Sequence, residues 1–207
     1  MHPRAGVGIP ERRAAEIMGK NFFGSQQAFD SFTFTPTTEE RLLLGTVPFD
    51  EATLEASHET HFLAAVLPIS IHTMRRTMPE LFYVKKDLWC SEALWMVERG
   101  DAGWCLLRKA PVKNSFDRSF KEQLLLLPQG EQALTARELV YMIASNHLAT
   151  RGWLFLNLWV NCKQKVGDER ALIGSASLEK FEQGICISRS KDPCSFFALG
   201  LASGRLA

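Results

Sequence analysis

The chain has 207 residues, of which 46% are hydrophobic, and its 24 Lys and Arg side chains nearly balance its 23 Asp and Glu side chains. This length and apolar content are typical of one main domain with a sizeable buried core. The balanced charge excludes a strong overall attraction to nucleic acid or anionic membranes, and no run approaches the roughly 18 apolar residues of a membrane span.

The sequence divides into an N-terminal extension and a folded body. Residues 1–20 are polar and interrupted by prolines and glycines, so they are predicted to form a flexible extension. Residues 21–207 are predicted to form a single α+β domain, which begins with an irregular region containing short helical pieces. Two buried strands are predicted further on, because the stretches at 61–68 and 103–109 are short and mainly apolar.

Three helices are predicted in the middle of the chain. Residues 87–99 repeat with helical period, and residues 116–127 form a second stretch of helical character that stops before a proline. Thr135 and Glu138 have the spacing of a capping box, in which each side chain hydrogen-bonds the backbone of the other residue. This spacing predicts a helix that continues to about Ala149.

The last third of the chain predicts a run of strands. Residues 153–162 give the strongest strand pattern, and shorter candidates follow at 171–177, 184–190 and 196–203. The gaps between these shorter runs cannot hold crossover helices, so neighbouring strands are expected to pair antiparallel. Helices early and strands late predict an α+β fold, with a mixed or mainly antiparallel sheet packed against two or three helices.

The cysteine pattern indicates the redox state of the protein's compartment. The five of them are odd in number and scattered, with neither a CxxC motif nor a metal-ligand spacing of His and Cys. This arrangement favours a reducing compartment over a disulfide framework. The N-terminal residues also lack the apolar stretch of a signal peptide, so we expect a cytoplasmic protein.

The segment HETH, at residues 58–61, brings two histidines and a carboxylate together. Its imidazoles are at i and i+3, whereas the helical zinc-protease pattern needs i and i+4. If the segment is extended, His58 and His61 point to opposite faces, so no metal site is predicted. Glu59 and His61 then share a face, where they form either an acid/base pair or a strand-edge pair satisfied by backbone or water.

A second candidate site is the loop that follows the predicted strand at 103–109. Lys109 and Ser115 lie at the two ends of this loop, which leads into a predicted helix start. Cationic and hydroxyl side chains near a helix N-terminus form a general anion-binding site. Helix capping by Ser115 explains the same residues without a ligand, so both interpretations stand.

A third candidate lies on the strongest predicted strand. Alternation puts Trp153, Phe155, Asn157 and Trp159 on one side. An aromatic and amide face can line a small-molecule pocket or stack nucleic-acid bases, and the local sequence comes close to the RNP1 pattern of RNA-recognition motifs. A strand buried on both faces is the structural alternative. RNA binding is not expected, because a helix delivers the chain to this segment and no RNP2-like partner is evident.

Six short motifs are spread over most of the chain. They are NFFG (21–24), ETH (59–61), NS (114–115), ELVY (138–141), RGWLFLN (151–157) and GLAS-R (200–205). In these motifs the sequence resembles a group of uncharacterised bacterial proteins, over about Asn21 to Arg205. The resemblance implies a single-domain architecture and carries no activity with it.

The leading hypothesis from sequence is a cytoplasmic binding module for a small molecule or a protein partner. Its recognition surface would be the aromatic face that includes Trp153 and Trp159. No cofactor motif is present, so no cofactor is predicted. Neither nucleic acid nor a membrane is expected as a partner.

The alternative hypothesis is a hydrolase or transferase. His61 would be its general base, oriented by the carboxylate of Glu59. Lys109 or Ser115 would hold an anionic group of the substrate. This hypothesis requires His61 and the loop at 108–115 to reach one cleft.

Overall fold

The structure is a computed structural model, and it describes residues 8–83, 94–166, 168–178, 182–190 and 199–207. In these residues the helices are α1 (Glu11–Met18), α2 (Ser25–Ser31), α3 (Thr38–Leu44), α4 (Glu51–Ser57), α5 (Ile71–Thr77), α6 (Leu94–Val97), α7 (Phe120–Leu124) and α8 (Ala136–Thr150). The strands are β1 (Ile9–Pro10), β2 (Phe22–Phe23), β3 (Thr46–Val47), β4 (His61–Val66), β5 (Gly103–Arg108), β6 (Gln132–Ala133), β7 (Leu158–Val166), β8 (Glu169–Leu178), β9 (Glu182–Ser190), β10 (Leu199–Leu201) and β11 (Ser203–Leu206). None of the helices in this part of the chain has the length and apolar character that a membrane span requires.

A five-stranded sheet in the order β2-β4-β5-β11-β6 carries the two strands predicted early in the chain. The antiparallel β4–β5 pair runs from His61 opposite Arg108 to Val66 opposite Gly103. These two ends are roughly 17 Å apart at about 3.3 Å per residue. Every residue of β4 is buried, as the apolar sequence predicts, because α2 and α8 pack against it.

A four-stranded sheet in the order β10-β7-β8-β9 forms the second half of the fold. The antiparallel pairing of β7 with β8 and of β8 with β9 confirms the predicted meander. The expected antiparallel pairing of the run at 196–203 with the run at 184–190 is wrong. In that last run β10 adds to the edge of β7 in parallel, and β11 pairs with β5 and β6 in the five-stranded sheet. One buried residue, Ala202, separates β10 from β11, so the chain passes directly from this sheet into the five-stranded one.

Helix α8 lies between the two sheets. It packs against β2 and β4 on one side and against β7, β8 and β9 on the other. Its start is the predicted capping box, in which Thr135 Oγ1 accepts from the Glu138 backbone N–H at 3.2 Å and the Glu138 carboxylate accepts from the Thr135 N–H at 2.7 Å. Residues 139–146 are all buried, as expected of a helix covered on every side. The architecture is therefore α+β, as predicted.

The N-terminal residues differ from the expected flexible extension over residues 1–20. Ile9 pairs with Val47, and Ala14 and Met18 of α1 are buried. These last two residues are at i and i+4, so they form an apolar stripe against which α4 packs despite the polar residues around them. The part of the extension from residue 8 onward is thus folded, and residues 1–7 lie outside the described residues.

Two predicted helices differ from their expected lengths. Of the helix expected over 87–99, the structure describes α6 and the residues after it, while residues 84–93 lie outside the described part. In the stretch 116–127 only α7 is helical, and Ser119 caps it through a second capping box with Glu122. The residues before Ser119 form turns, because Asn114 and Asp117 adopt positive φ angles of 63° and 56°.

Candidate functional site

Glu131 is the centre of a buried polar network at the His61–Arg108 end of the β4–β5 pair. Its side chain is only 1% exposed. Arg108 donates to it through Nε at 3.2 Å and Nη2 at 2.5 Å, and the Ser203 hydroxyl donates at 2.5 Å. His61 Nε2 lies 3.4 Å from Oε1 of the same carboxylate. We call these four residues the Glu131 network; they join β4, β5 and β11 to the loop before β6.

The Glu131 network keeps its carboxylate ionised. Burial alone would raise the pKa of Glu131, but hydrogen bonds from His61, Arg108 and Ser203 outweigh burial and lower the pKa from 4.5 to about 2. The negative charge is therefore retained at neutral pH and is paired with the Arg108 guanidinium.

His61 has partners for both of its ring nitrogens. Nδ1 lies 2.8 Å from the Thr60 hydroxyl, and Nε2 faces Glu131. A nucleophilic triad needs a histidine between the serine and the acid, but here the hydroxyl of Ser203 donates to Glu131 itself. The arrangement links the strands to one another, and neither ring nitrogen of His61 is directed at a substrate.

Glu59 does not occupy the position that the sequence predicts. Residues 58–60 continue as a turn after α4, with the Thr60 N–H donating to the Ser57 carbonyl at 3.0 Å. Strand alternation therefore starts only at His61, and the predicted sharing of a face fails. The Glu59 side chain is 83% exposed and lies 3.9 Å from His58 Nε2. The carboxylate that contacts His61 belongs to Glu131 instead.

The residues of HETH also provide no metal centre. The described part of the chain holds no group of three or more His, Cys, Asp or Glu side chains that could bind a metal ion. His58 Nδ1 lies 2.7 Å from the Glu55 carbonyl at the end of α4. His61 points into the Glu131 network, so the two rings belong to different surroundings.

Lys109 lies on another part of the same sheet end. Its Nζ donates to Asn21 Oδ1 at 3.1 Å, and the Asn21 amide donates in turn to the His58 carbonyl at 2.6 Å. Burial lowers the pKa of Lys109, the nearby Lys20 lowers it further, and Glu59 opposes both. Lys109, just after β5, is thus connected through Asn21, just before β2, to the turn after α4.

Ser115 has a structural role that is separate from Lys109. It is fully buried, and its hydroxyl accepts from the Leu201 N–H at 3.0 Å. Its carbonyl accepts from the Gln123 amide at 2.7 Å. The hydrogen bonds of Ser115 are thus made with β10 and α7. Ser115 therefore does not form one site with His61 and Lys109.

The aromatic face expected at residues 153–162 is not a strand face along its whole length. Phe155 and Asn157 adopt positive φ angles of 54° and 56°, and β7 begins only at Leu158. Trp153 stacks on His147 with ring centroids 3.9 Å apart, and Phe155 is buried. Asn157 is exposed, and its N–H donates to the Ser175 carbonyl at 2.7 Å.

Trp159 is the one member of this set that lies on the strand. It is half-buried in β7 and pairs with Gly174 on one side and Leu199 on the other. The turns at Phe155 and Asn157 break the two-residue alternation on which the predicted face depends. The four side chains therefore do not form one continuous surface.

A cavity of about 530 Å³ opens at the other end of the β4–β5 pair, beside Val66 and Gly103. Its volume is in the range of roughly 300–1,000 Å³ that is usual for small-molecule sites. The described lining includes two tryptophans, three carboxylates and one guanidinium, from Trp95, Trp104, Glu98, Asp101, Glu138 and Arg137. The walls come from α6, the loop before β5, β5 itself, the N-terminus of α8 and the ends of β7 and β11.

The position of Arg137 in the cavity wall depends on a glycine. Its Nη1 donates to the Leu67 carbonyl at 3.0 Å, and burial lowers its pKa while Glu138 opposes that effect. The guanidinium packs against Gly100, where an added Cβ would lie 2.4 Å from Cζ. Gly100 also has a φ of 62°, a conformation that favours glycine.

The two tryptophans of the cavity are buried, with 7% of Trp95 and 2% of Trp104 exposed. Trp104 also stacks on Phe22 with ring centroids 5.8 Å apart. The Nε1 atoms of both indoles are shielded from solvent and have no hydrogen-bond partner among the described residues. Besides the three carboxylates and the guanidinium, the polar side chains of the described lining are those of Thr135 and Gln164.

Sequence reasoning missed Glu131 and the cavity residues. Glu131 is the only charged residue between Glu122 and Arg137, which is a weak local signal in a loop. Its partners lie on three strands distant in sequence, so no local spacing reveals them. Trp95 fits a helical pattern equally well as an ordinary core residue.

No protein-family model matches the chain, and no curated protein and no solved structure matches it. The geometry of the site is therefore the basis for the function proposed below.

Proposed function

We propose that the protein is a binding module for a small molecule and that the molecule occupies the cavity beside Val66 and Gly103. The observation that carries this proposal is a concave space of about 530 Å³ with Trp95 and Trp104 in its wall. Binding sites for small molecules are mostly apolar clefts of this size with a few polar groups that fix orientation. A small molecule rather than a protein partner fits such a space, because a protein partner usually needs a broad surface.

The alternative function, a hydrolase or transferase based on His61, receives less support. A general base needs a ring nitrogen within reach of a substrate proton. Both nitrogens of His61 already face protein groups, Thr60 and Glu131. The cavity also lies beside the opposite end of the β4–β5 pair, so the proposal does not use His61.

We also propose that the protein works in the cytoplasm, as the cysteine pattern predicts. Cys105 and Cys162 are buried free thiols on β5 and β7. Buried thiols of this kind behave as small hydrophobic groups and suit a reducing compartment. Cell fractionation checks this expectation, and recovery of the protein with an oxidising compartment would contradict it.

The experiment that tests cavity binding uses two matched substitutions at the two ends of β5. Ala102 lines the cavity and Ala110 is exposed outside it. In a ligand-observed NMR screen of small aromatic compounds, we expect hits with the wild-type protein and with Ala110→Phe. We expect Ala102→Phe to abolish them, because the phenyl ring fills the cavity. Hits that persist in Ala102→Phe would contradict the proposal, and so would the absence of any hit in the wild type.

A second filling variant protects this test against misfolding. Gln164 lies on β7 and lines the same cavity, while its neighbour Lys165 is exposed and does not. Gln164→Trp should remove the hits and Lys165→Trp should retain them. Thermal denaturation of all four variants shows which of them are folded, and only folded variants are compared.

A further inference from the structure

The cavity has a charge that selects one class of ligand. Its described lining contains the carboxylates of Glu98, Asp101 and Glu138 and the single guanidinium of Arg137, which leaves a formal charge of −2. Arg137 is already bound to the Leu67 carbonyl and packed against Gly100. Its position is thereby fixed, and its positive charge interacts with the carboxylates of Glu138 and Asp101 in the same lining.

The three carboxylates differ in their freedom to meet a ligand. Glu138 is half-buried and accepts from the Thr135 N–H in the capping box. Glu98 and Asp101 are exposed, on the segment between α6 and β5. The structure gives neither of them a hydrogen bond or ion pair with another described side chain, so both can turn towards a charged group at the cavity mouth.

The apolar part of the wall complements these charges. Trp95 and Trp104 are buried residues of the cavity lining, and their indole N–H groups are shielded from solvent. A bound molecule thus meets aromatic and aliphatic surface at the base of the cavity and carboxylate oxygens near its mouth. An anion there would face net repulsion, whereas a cation would gain Coulomb attraction.

We propose that the ligand of this cavity is an organic cation, an apolar or aromatic body that carries an ammonium group, with Asp101 and Glu98 as the groups that recognise its charge. This inference rests on the proposed function, because it assumes that the cavity binds a small molecule. Aromatic walls with nearby negative charge are a known way to hold ammonium groups. The segment between α6 and β5 is then the part that determines specificity.

The test uses three probes of similar size that differ in charge: 2-phenylethylamine, 2-phenylethanol and phenylacetate. Isothermal titration calorimetry at low and high salt measures their affinities. We expect the amine to bind about tenfold or more tightly than phenylacetate at low salt, because each charge pair adds attraction for one and repulsion for the other. The preference should shrink at high salt, since the two carboxylates are exposed.

Two double variants separate a specific charge effect from a general one. Asp101→Asn with Glu98→Gln should lower the affinity for the amine several-fold and leave that for 2-phenylethanol unchanged. Glu55→Gln with Glu80→Gln removes the same total charge from exposed positions outside the cavity. This control pair should leave the affinity for the amine unchanged.

The possible outcomes distinguish the inference from the function on which it rests. If the three probes bind equally, or if phenylacetate binds best, and Ala102→Phe still abolishes binding, the cavity is a binding site and the inference of a cation is wrong. If no probe binds although the screen finds ligands that Ala102→Phe abolishes, the inference of a cation is likewise wrong and the proposed function stands. If the screen finds no ligand, or if binding persists in Ala102→Phe, the proposed function itself fails. If both double variants weaken amine binding equally, Asp101 and Glu98 are not the recognising groups.

Discussion

The Nε2 atom of His61 lies 3.4 Å from Oε1 of Glu131, a carboxylate 70 residues further along the chain. This contact joins the start of β4 to the loop before β6, which are separated in the sheet by β5 and β11. Arg108 and Ser203, on those two intervening strands, bind the same carboxylate. Glu131 thus fixes one end of four neighbouring strands with a single side chain.

We predict that Glu131→Gln destabilises the protein at neutral pH and removes a pH-dependent part of its stability. Because the folded-state pKa of about 2 lies below the ordinary value of 4.5, the carboxylate contributes stability above about pH 4.5. That contribution is on the order of 3 kcal/mol and is lost as the pH falls from about 4.5 to about 2. Urea unfolding between pH 7 and pH 2 measures it for the wild type and the variant.

The difference in unfolding free energy between wild type and variant should therefore shrink across this acidic range. Glu55→Gln is the control, because Glu55 is exposed on α4 and lies outside the Glu131 network. Wild-type and Glu131→Gln curves that stay parallel down to pH 2 would show that the carboxylate is not held in its ionised form by the fold.

We predict that Gln123→Leu loosens β10 from the rest of the molecule. The fully buried amide of Gln123 donates to the carbonyls of Ser115 and Leu199 at 2.7 and 3.1 Å, and its oxygen accepts from Asn161 at 2.7 Å. Leaving these buried groups unpaired should cost about 3 kcal/mol. Chemical denaturation measures the loss, and hydrogen exchange should be faster at the backbone of residues 199–201.

The exposed Gln26 of α2 offers a matched control for this substitution. It bonds only to the exposed side chain of Asp30, so Gln26→Leu should change stability by less than about 0.5 kcal/mol. Equal effects of the two substitutions would mean that the buried bonds of Gln123 add nothing to the fold.

We predict that Gly100→Ala destabilises the protein and changes the shape of the cavity. An alanine at this position would have to adopt a φ of 62°, and its Cβ would lie 2.4 Å from the Cζ atom of Arg137. The backbone strain alone should cost about 1 kcal/mol, and displacement of the guanidinium adds to it. Thermal unfolding and the affinity for the probes described above give the two measurements.

A substitution at Gly19 measures the backbone strain separately from the steric contact with Arg137. It has a φ of 53°, but an added Cβ would meet no atom within 4 Å. Gly19→Ala should thus show the backbone strain without the steric contact and should leave probe binding unchanged. An equal loss of stability in the two variants, with probe binding intact in both, would rule out the role given to the Gly100–Arg137 contact.

We predict that Cys105 and Cys162 do not react with thiol reagents in the folded protein. Burial raises the pKa of both thiols, that of Cys162 to about 12 and that of Cys105 further, so almost no thiolate is present at pH 8. Labelling followed by mass spectrometry of peptides should find both unmodified until the protein is unfolded. Modification of either one at the rate of a free exposed thiol would contradict the buried position.

Local sequence patterns predicted the elements whose signals are local. The Thr135–Glu138 capping box located the start of α8, and the uninterrupted apolar residues of β4 predicted a strand covered on both faces. The strand expected from Trp153 onward starts five residues later. There Phe155 is buried within a turn, and burial in a turn produces the same apolar pattern as burial in a strand.

The candidate site was less accessible to sequence reasoning, because long-range contacts form it. The sequence predicted Glu59 as the carboxylate partner of His61, whereas Glu131 contacts His61 in the structure. The cavity combines side chains from α6, β5, β7 and α8. The concave shape depends on the relative placement of these elements, which no spacing along the chain encodes.

The passage of the chain from β10 through Ala202 into β11 has a mechanical consequence. A single buried residue cannot absorb a rotation between the two sheets without pulling apart strand pairs on one side of it. The two sheets are thereby coupled, and Gln164 and Leu206, one on each sheet, both border the cavity. A molecule bound between these two residues would stabilise both sheets. Its binding should therefore also slow the unfolding of strands that lie far from the cavity.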